Sequence, residues 1–123
     1  MVVKFNVKKD VLLGAVRKAA GSWIRTKEMA LSVKSDGQGN YKVCVQSNGL
    51  YVAGCTFPAA PVGAEGEITV VVSEMFLGAV NALASLDADE FSIEIKEDRV
   101  IVALGTGEVE VPVIKEPKTS FEL

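Results

Sequence analysis

Histidine is missing from this chain altogether. Its absence removes the side chain that most often acts as a general base near neutral pH and most often ligates a metal. Cysteine is scarce: Cys44 and Cys55 are the only two, too few to make a zinc site by themselves. No glycine-rich phosphate loop and no strand–turn–helix nucleophile elbow occurs. The usual constellations of metal-dependent, nucleophilic and nucleotide-dependent catalysis are therefore excluded. Carboxylates and lysines remain, but without a recognisable arrangement; the chain is expected to be no enzyme and to need no cofactor and no metal. No apolar run reaches the roughly 18 residues that span a bilayer. The start, Met1-Val2-Val3-Lys4-Phe5, lacks the charged-then-apolar order of a signal peptide. A cytoplasmic location is expected, with no membrane partner.

What is present is a repetition. Leu13-Gly14-Ala15-Val16 recurs as Leu77-Gly78-Ala79-Val80, 64 positions later. The likeness extends outward: Asp10-Val11-Leu12 matches Glu74-Met75-Phe76, Val7 matches Val71, and Ala20 matches Ala84. With 123 residues and 49% apolar content, a single domain (1–123) assembled from two copies of one unit is expected, the first over 1–58 and the second over 66–114. The two halves differ in charge. Residues 1–64 carry nine Lys and Arg against three Asp and Glu, whereas residues 65–123 carry four against thirteen. Unlike charges on like halves suggest unlike partners; the plainer alternative is two solvated faces.

Periodicity places the elements. Val2 to Val7 alternates and reads as a strand. Residues 9–23 read as a helix, because Leu12, Val16, Ala19 and Trp23 share one stripe. Asp10 suits the positive end of that helix. Strands follow at about 29–35, 41–47 and 50–57, the last two joined by Asn48-Gly49, a strong two-residue hairpin signal. Pro58, Pro61, Gly63 and Gly66 read as a linker. In the second half, 67–72 is a strand, Ser73 an N-cap and 74–86 a helix burying Phe76, Val80 and Leu83. Strands at 90–96, 99–104 and 108–114 complete it, with turns at Glu97-Asp98 and Thr106-Gly107, and a tail from Lys115. If Asn48-Gly49 makes the hairpin, Cys44 and Cys55 share a face diagonally, roughly 7–8 Å apart at the backbone and too far for an easy disulfide.

Taken together, several of these segments resemble the bacterial DNA sliding clamp, the DNA polymerase III beta subunit. Val3-Lys4-Phe5-Asn6-Val7 followed by Leu12, Leu13 and Val16 is similar to that family's opening strand and helix. Ser47-Asn48-Gly49-Leu50-Tyr51-Val52 stands where the family has a Thr-Asp-Leu segment. Gly66-Glu67-Ile68-Thr69-Val70 with Leu77, Val80 and Leu83 resembles its second strand and helix, and Arg99-Val100-Ile101-Val102 with Gly105 its late hairpin. The resemblance covers essentially the whole chain and implies an α+β DNA-clamp fold. In it, two pseudo-symmetric β-α-β-β-β repeats place two helices on one side of two antiparallel sheets. It also implies a ring of six such domains around duplex DNA, bound without regard to sequence, and a tethered DNA polymerase or other replication protein. Bacterial clamps build the ring from two chains of three domains. A chain carrying one domain is either a fragment, a protein that self-associates, or one that never closes a ring.

The resemblance singles out two surfaces. With Leu12, Val16 and Ala19 turned inward, the first helix presents Gly14, Arg17, Lys18 and Gly21. Arg25 and Lys27 follow in the loop, where bacterial clamps tend to place a DNA-contacting arginine. Arg17, Lys18, Arg25 and Lys27 are the expected phosphate contacts, with a solvated face as the alternative. The matching stripe of the second helix, Gly78, Asn81, Ala82 and Ser85, carries no positive charge, which departs from the family and fits packing on another helix equally well. The second surface is a joint between open strand edges at Leu50–Phe57 and Glu108–Val113, represented by Leu50, Tyr51, Val52, Glu108, Val109, Glu110 and Val111. Alternatively, Glu108, Glu110 and Pro112 blunt an edge against aggregation. A clamp-fold module that docks on proteins and ignores DNA is the competing function, since fold does not decide between them.

Overall fold

Alternating burial along the strands explains how the chain closes on itself. In β1 (Val3–Lys8), Val3, Phe5 and Val7 are buried while Lys4, Asn6 and Lys8 face outward. The same alternation recurs in β6 (Glu90–Ile95) and β7 (Arg99–Leu104). A computed structural model describes residues 2–21, 27–47, 54–63 and 66–115. Its element order is β1, α1 (Lys9–Ala20), β2 (Glu28–Ser35), β3 (Tyr41–Ser47), β4 (Gly54–Pro61), β5 (Ile68–Ser73), α2 (Met75–Leu83), β6, β7 and β8 (Gly107–Lys115). Every strand pairing is antiparallel, and the strands close in the order β1-β4-β3-β2-β5-β8-β7-β6, with β6 returning to β1.

Both helices bury one stripe: Leu12, Ala15, Val16 and Ala19 from α1, and Phe76, Ala79, Val80 and Leu83 from α2. These join the inward residues of all eight strands in one core. Within it Phe5 meets Tyr41 edge-on, with centroids 6.5 Å apart at 84°. The Tyr41 hydroxyl accepts a hydrogen bond from Gly66 N at 3.0 Å, so its polar end is satisfied where the ring is buried. α1 packs on β3, β4 and β1, α2 packs on β8, β7 and β5, and the helices touch each other.

Five expectations are corrected. The two sheets are not separate, because β4 reaches β1 through Asn6↔Ala60 and β8 reaches β5 through Val72↔Val113. Closing the ring removes unpaired backbone that open edges would expose. The third strand of the first half runs over Gly54–Pro61, not 50–57, so it includes two prolines expected in a linker. Asn48-Gly49 itself lies outside the described residues, but the last described rung, Gln46↔Gly54, is out of step with the register that a two-residue turn there would set. That register slip is an odd number of residues and reverses the faces. Cys44 stands opposite Thr56 on the outer face and Cys55 packs against the core, so the two thiols lie on opposite faces. Finally, the last turn is Gly105-Thr106, because Leu104 pairs with Gly107 and Gly105 has φ +57°. Ser73 does act at the start of α2, accepting from Met75 N at 3.2 Å, although Glu74 is the capping position.

On the outer face, Thr69, Ser32, Cys44 and Thr56 form one rung across β5, β2, β3 and β4. Thr69 Oγ1 lies 3.1 Å from Ser32 Oγ, and Cys44 Sγ lies 3.6 Å from Gln46 Oε1. At the end of the rung Thr56 Oγ1 is buried with no hydrogen-bond partner among the described residues.

Candidate nucleic-acid interface and strand edges

A helix buried on one stripe must present the opposite one, and here two such stripes lie together. α1 exposes Gly14, Arg17, Lys18 and Gly21; α2 exposes Gly78, Asn81 and Ala82, with Ser85 just beyond its end. Arg17 Nη2 donates to Asn81 Oδ1 at 3.5 Å, linking the two stripes near their middles. Neither Gly14 nor Gly78 has anything within 4 Å of where a Cβ would stand, so the surface over both helices is low and open.

Three of the four expected cations are among the described residues. Arg17 and Lys18 are exposed in the last turn of α1, where positive charge also complements the helix dipole. Lys27 Nζ lies 3.6 Å from Glu74 Oε2, with both side chains largely in solvent. It sits just ahead of β2 and beside the start of α2, so part of its charge is offset locally. Arg25 lies outside the described residues, as does Trp23.

Lys9, which the sequence reading passed over, ties the helices together. Its Nζ donates to Ala84 O at 3.1 Å and Leu86 O at 3.0 Å, satisfying carbonyls at the end of α2. Its backbone N–H donates to Asp89 O at 2.7 Å. The only sequence clue was a lysine at the start of a helix, where positive charge is unfavourable unless it has distant acceptors. A cleft of about 460 Å³ beside it is lined by Lys8, Lys9, Asp10, Leu13, Asp89 and Glu90, a mixed-charge wall with no bias toward one ligand.

Of the edge residues, Leu50, Tyr51 and Val52 lie outside the described residues. Glu108, Val109, Glu110 and Val111 all lie on β8: Glu108 and Glu110 are exposed, Val111 is buried and Val109 packs against the core. The edges are only partly open. β4 pairs with β3 from Gly54 to Ala59 but meets β1 only at Ala60 and Pro61. β8 pairs with β7 from Gly107 to Pro112 but meets β5 only at Val113 and Lys115. Each last strand therefore has a stretch paired on one side alone among the described residues. Arg99 Nε stands 4.0 Å from Glu110 Oε1, a charge contact without a hydrogen bond. No group of three or more Cys, Asp or Glu able to hold a metal occurs among the described residues, and no described helix is long and apolar enough to cross a membrane.

No protein-family model matches the sequence, and no curated protein matches it. Solved structures do. A C. crescentus beta sliding clamp superposes with a TM-score of 0.71 at 15% identity, over 99% of this chain and 32% of that one. The DNA polymerase III subunit beta of Pseudomonas aeruginosa gives 0.68 at 17% identity, over 98% and 32%. A sliding clamp from the same organism, bound to griselimycin, gives 0.70 at 16% identity, over 100% and 34%. The chain thus has the two-helix, eight-strand antiparallel fold of a bacterial beta-clamp domain and spans about one third of the length of the clamp chains it matches.

Proposed function

We propose that the chain is a non-catalytic, sliding-clamp-like processivity factor that contacts duplex DNA through the joined face of α1 and α2. The supporting observation is the pairing of a clamp-domain fold with exposed Arg17 and Lys18 beside the low, uncharged stripe of α2. A protein that slides must be attracted to phosphate charge while making no base contact, and two exposed cations beside small side chains meet that requirement. In this reading the domain is two copies of one unit. Exchanging β1 with β5, β2 with β6, β3 with β7 and β4 with β8 returns the same cyclic strand order, which supports it. Self-association through the half-open β4 and β8 edges is the proposed route to a ring. A tethered DNA polymerase or other replication protein in the cytoplasm completes the reading.

The competing function is a clamp-fold module that docks on another protein and leaves DNA alone. It is favoured by the Lys27–Glu74 pair and by the uncharged stripe of α2, which leave this face only weakly cationic. Retention on closed-circular against linear duplex DNA, measured with mass in solution, separates the two. Slow loss from circles and fast loss from linear DNA supports a topological clamp. A protein that binds neither form is the interaction module.

A further inference from the structure

The outward faces of the strands differ in how far they are kept from water. β1, β6 and β7 alternate strictly, and Lys4, Asn6, Ser92, Glu94, Ile101 and Ala103 are only half-buried between core residues. β2, β3 and β5 do not alternate: 29–33, 43–47 and 70–72 are buried without a break. Every second residue of these runs belongs to the core, but Ala30, Ser32, Cys44, Gln46 and Val71 face outward, and Ala30 and Val71 are at 0% exposure. They lie on two adjacent rungs, Val71–Ala30–Gln46–Gly54 and Thr69–Ser32–Cys44–Thr56.

Ladder neighbours as small as these cannot bury one another, since the same packing on the β1, β6 and β7 side leaves outward residues half-buried. The described elements packed on β2 and β5 are their ladder partners and, from the core side, α2. The cover over this outward face therefore comes from chain outside the described residues.

We propose that residues 116–123 cross this face, with Phe121 seated over Ala30, Ser32 and Cys44. The crossing is independent of DNA binding and of the half-open edges. Lys115, the last described residue, pairs with Val71 and so stands at the end of the first rung. Pro117 lacks the N–H that would continue the β8 ladder. Reach is sufficient: β8 to β3 is three strand spacings, roughly 14 Å, and the six residues from Lys115 to Phe121 extend to roughly 20 Å. Shape also fits, because a surface of alanine, serine and glycine leaves room for a large ring. The other internal stretches outside the described residues are each held at both ends, 22–26 between α1 and β2, 48–53 between β3 and β4, and 64–65 between β4 and β5. A face covered by chain needs no charge, whereas the face left to water carries Lys4, Glu94, Arg99 and Glu110.

Cys44 is a native reporter, because it lies on the covered side while Cys55 packs against the core. Alkylation of the full chain by iodoacetamide, located by peptide mass spectrometry, compares wild type with Phe121→Ser, Phe121→Leu and Tyr51→Ser. Phe121→Ser is expected to speed alkylation of Cys44 about tenfold or more and to leave Cys55 unchanged, because the cover then opens more often. Phe121→Leu keeps an apolar side chain and most of the protection, and Tyr51→Ser leaves the rate of Cys44 unaltered. Cys44 indifferent to Phe121→Ser, or freed by Tyr51→Ser instead, overturns the proposal. A wild-type rate that rises on dilution also overturns it, since a second copy is then the cover. If Phe121→Ser speeds both thiols, the fold has loosened and mildly oxidised Phe121→Cys decides: a disulfide to Cys44 supports the crossing, and one to Cys55 or none refutes it.

Discussion

Arg17 and Asn81 are hydrogen-bonded across the two helices, Nη2 to Oδ1 at 3.5 Å, and they are 64 positions apart. That is the same offset that separates the two Leu-Gly-Ala-Val segments, so each residue touches its own counterpart in the recurring pattern. A cation and a neutral amide occupy the two places. The contact holds the guanidinium over the joined face without cancelling its charge.

Asn81→Asp should therefore weaken DNA binding while leaving the fold intact. An exposed carboxylate beside Arg17 contributes about 0–1 kcal/mol to stability but removes a cation from phosphate contact. Filter binding across a salt series is the measurement, alongside Arg17→Ala/Lys18→Ala. Losing two phosphate contacts should flatten the slope of log K against log salt by about two. An unaltered slope in both variants would place any DNA contact elsewhere.

Gly14→Ala and Gly78→Ala should each stabilise the chain by up to about 1 kcal/mol, because alanine is the better helix former. An added Cβ at either position meets nothing within 4 Å. Chemical denaturation reads the stability. If DNA affinity falls as stability rises, the low surface over the helices serves close approach of another molecule; if it does not, these glycines have no binding role.

Lys9→Met keeps the aliphatic stem but removes the donors to Ala84 O and Leu86 O. A loss of about 1.5–3 kcal/mol is expected, the range for hydrogen bonds to a charged group. Urea unfolding followed by circular dichroism measures it, and a variant as stable as wild type would show that water caps α2 equally well.

Thr56→Val should raise stability by about 1 kcal/mol or more, since the buried hydroxyl it replaces has no partner among the described residues and β-branched shape is retained. A shift of the thermal midpoint upward is the readout. A downward shift would show that the hydroxyl is satisfied in solution.

Local order was legible because it depends on period. The stripe of Leu12, Val16 and Ala19 and that of Phe76, Val80 and Leu83 follow from spacing alone, and both are buried in the core. The alternation of Phe91, Ile93 and Ile95 and of Val100, Val102 and Leu104 likewise marks strands with one face inward. These signals lie within a few residues of each other and need no knowledge of the rest of the chain.

Register and closure needed the tertiary structure. Asn48-Gly49 invites a tight turn, yet the core fills only when Phe57 and Ala59 face inward, and this pairing sets Gln46 against Gly54 and puts the two thiols on opposite faces. β4 runs through Pro58 because its backbone position faces away from β3, and through Pro61 because the described pairing with β3 ends at Ala59, facts that depend on which strand lies beside which. The bonds from Lys9 to Ala84 and Leu86, and from Arg17 to Asn81, span more than sixty positions. Periodicity decides which face of an element is buried, whereas the partner of that element is decided by how all the buried faces fill a common volume at once.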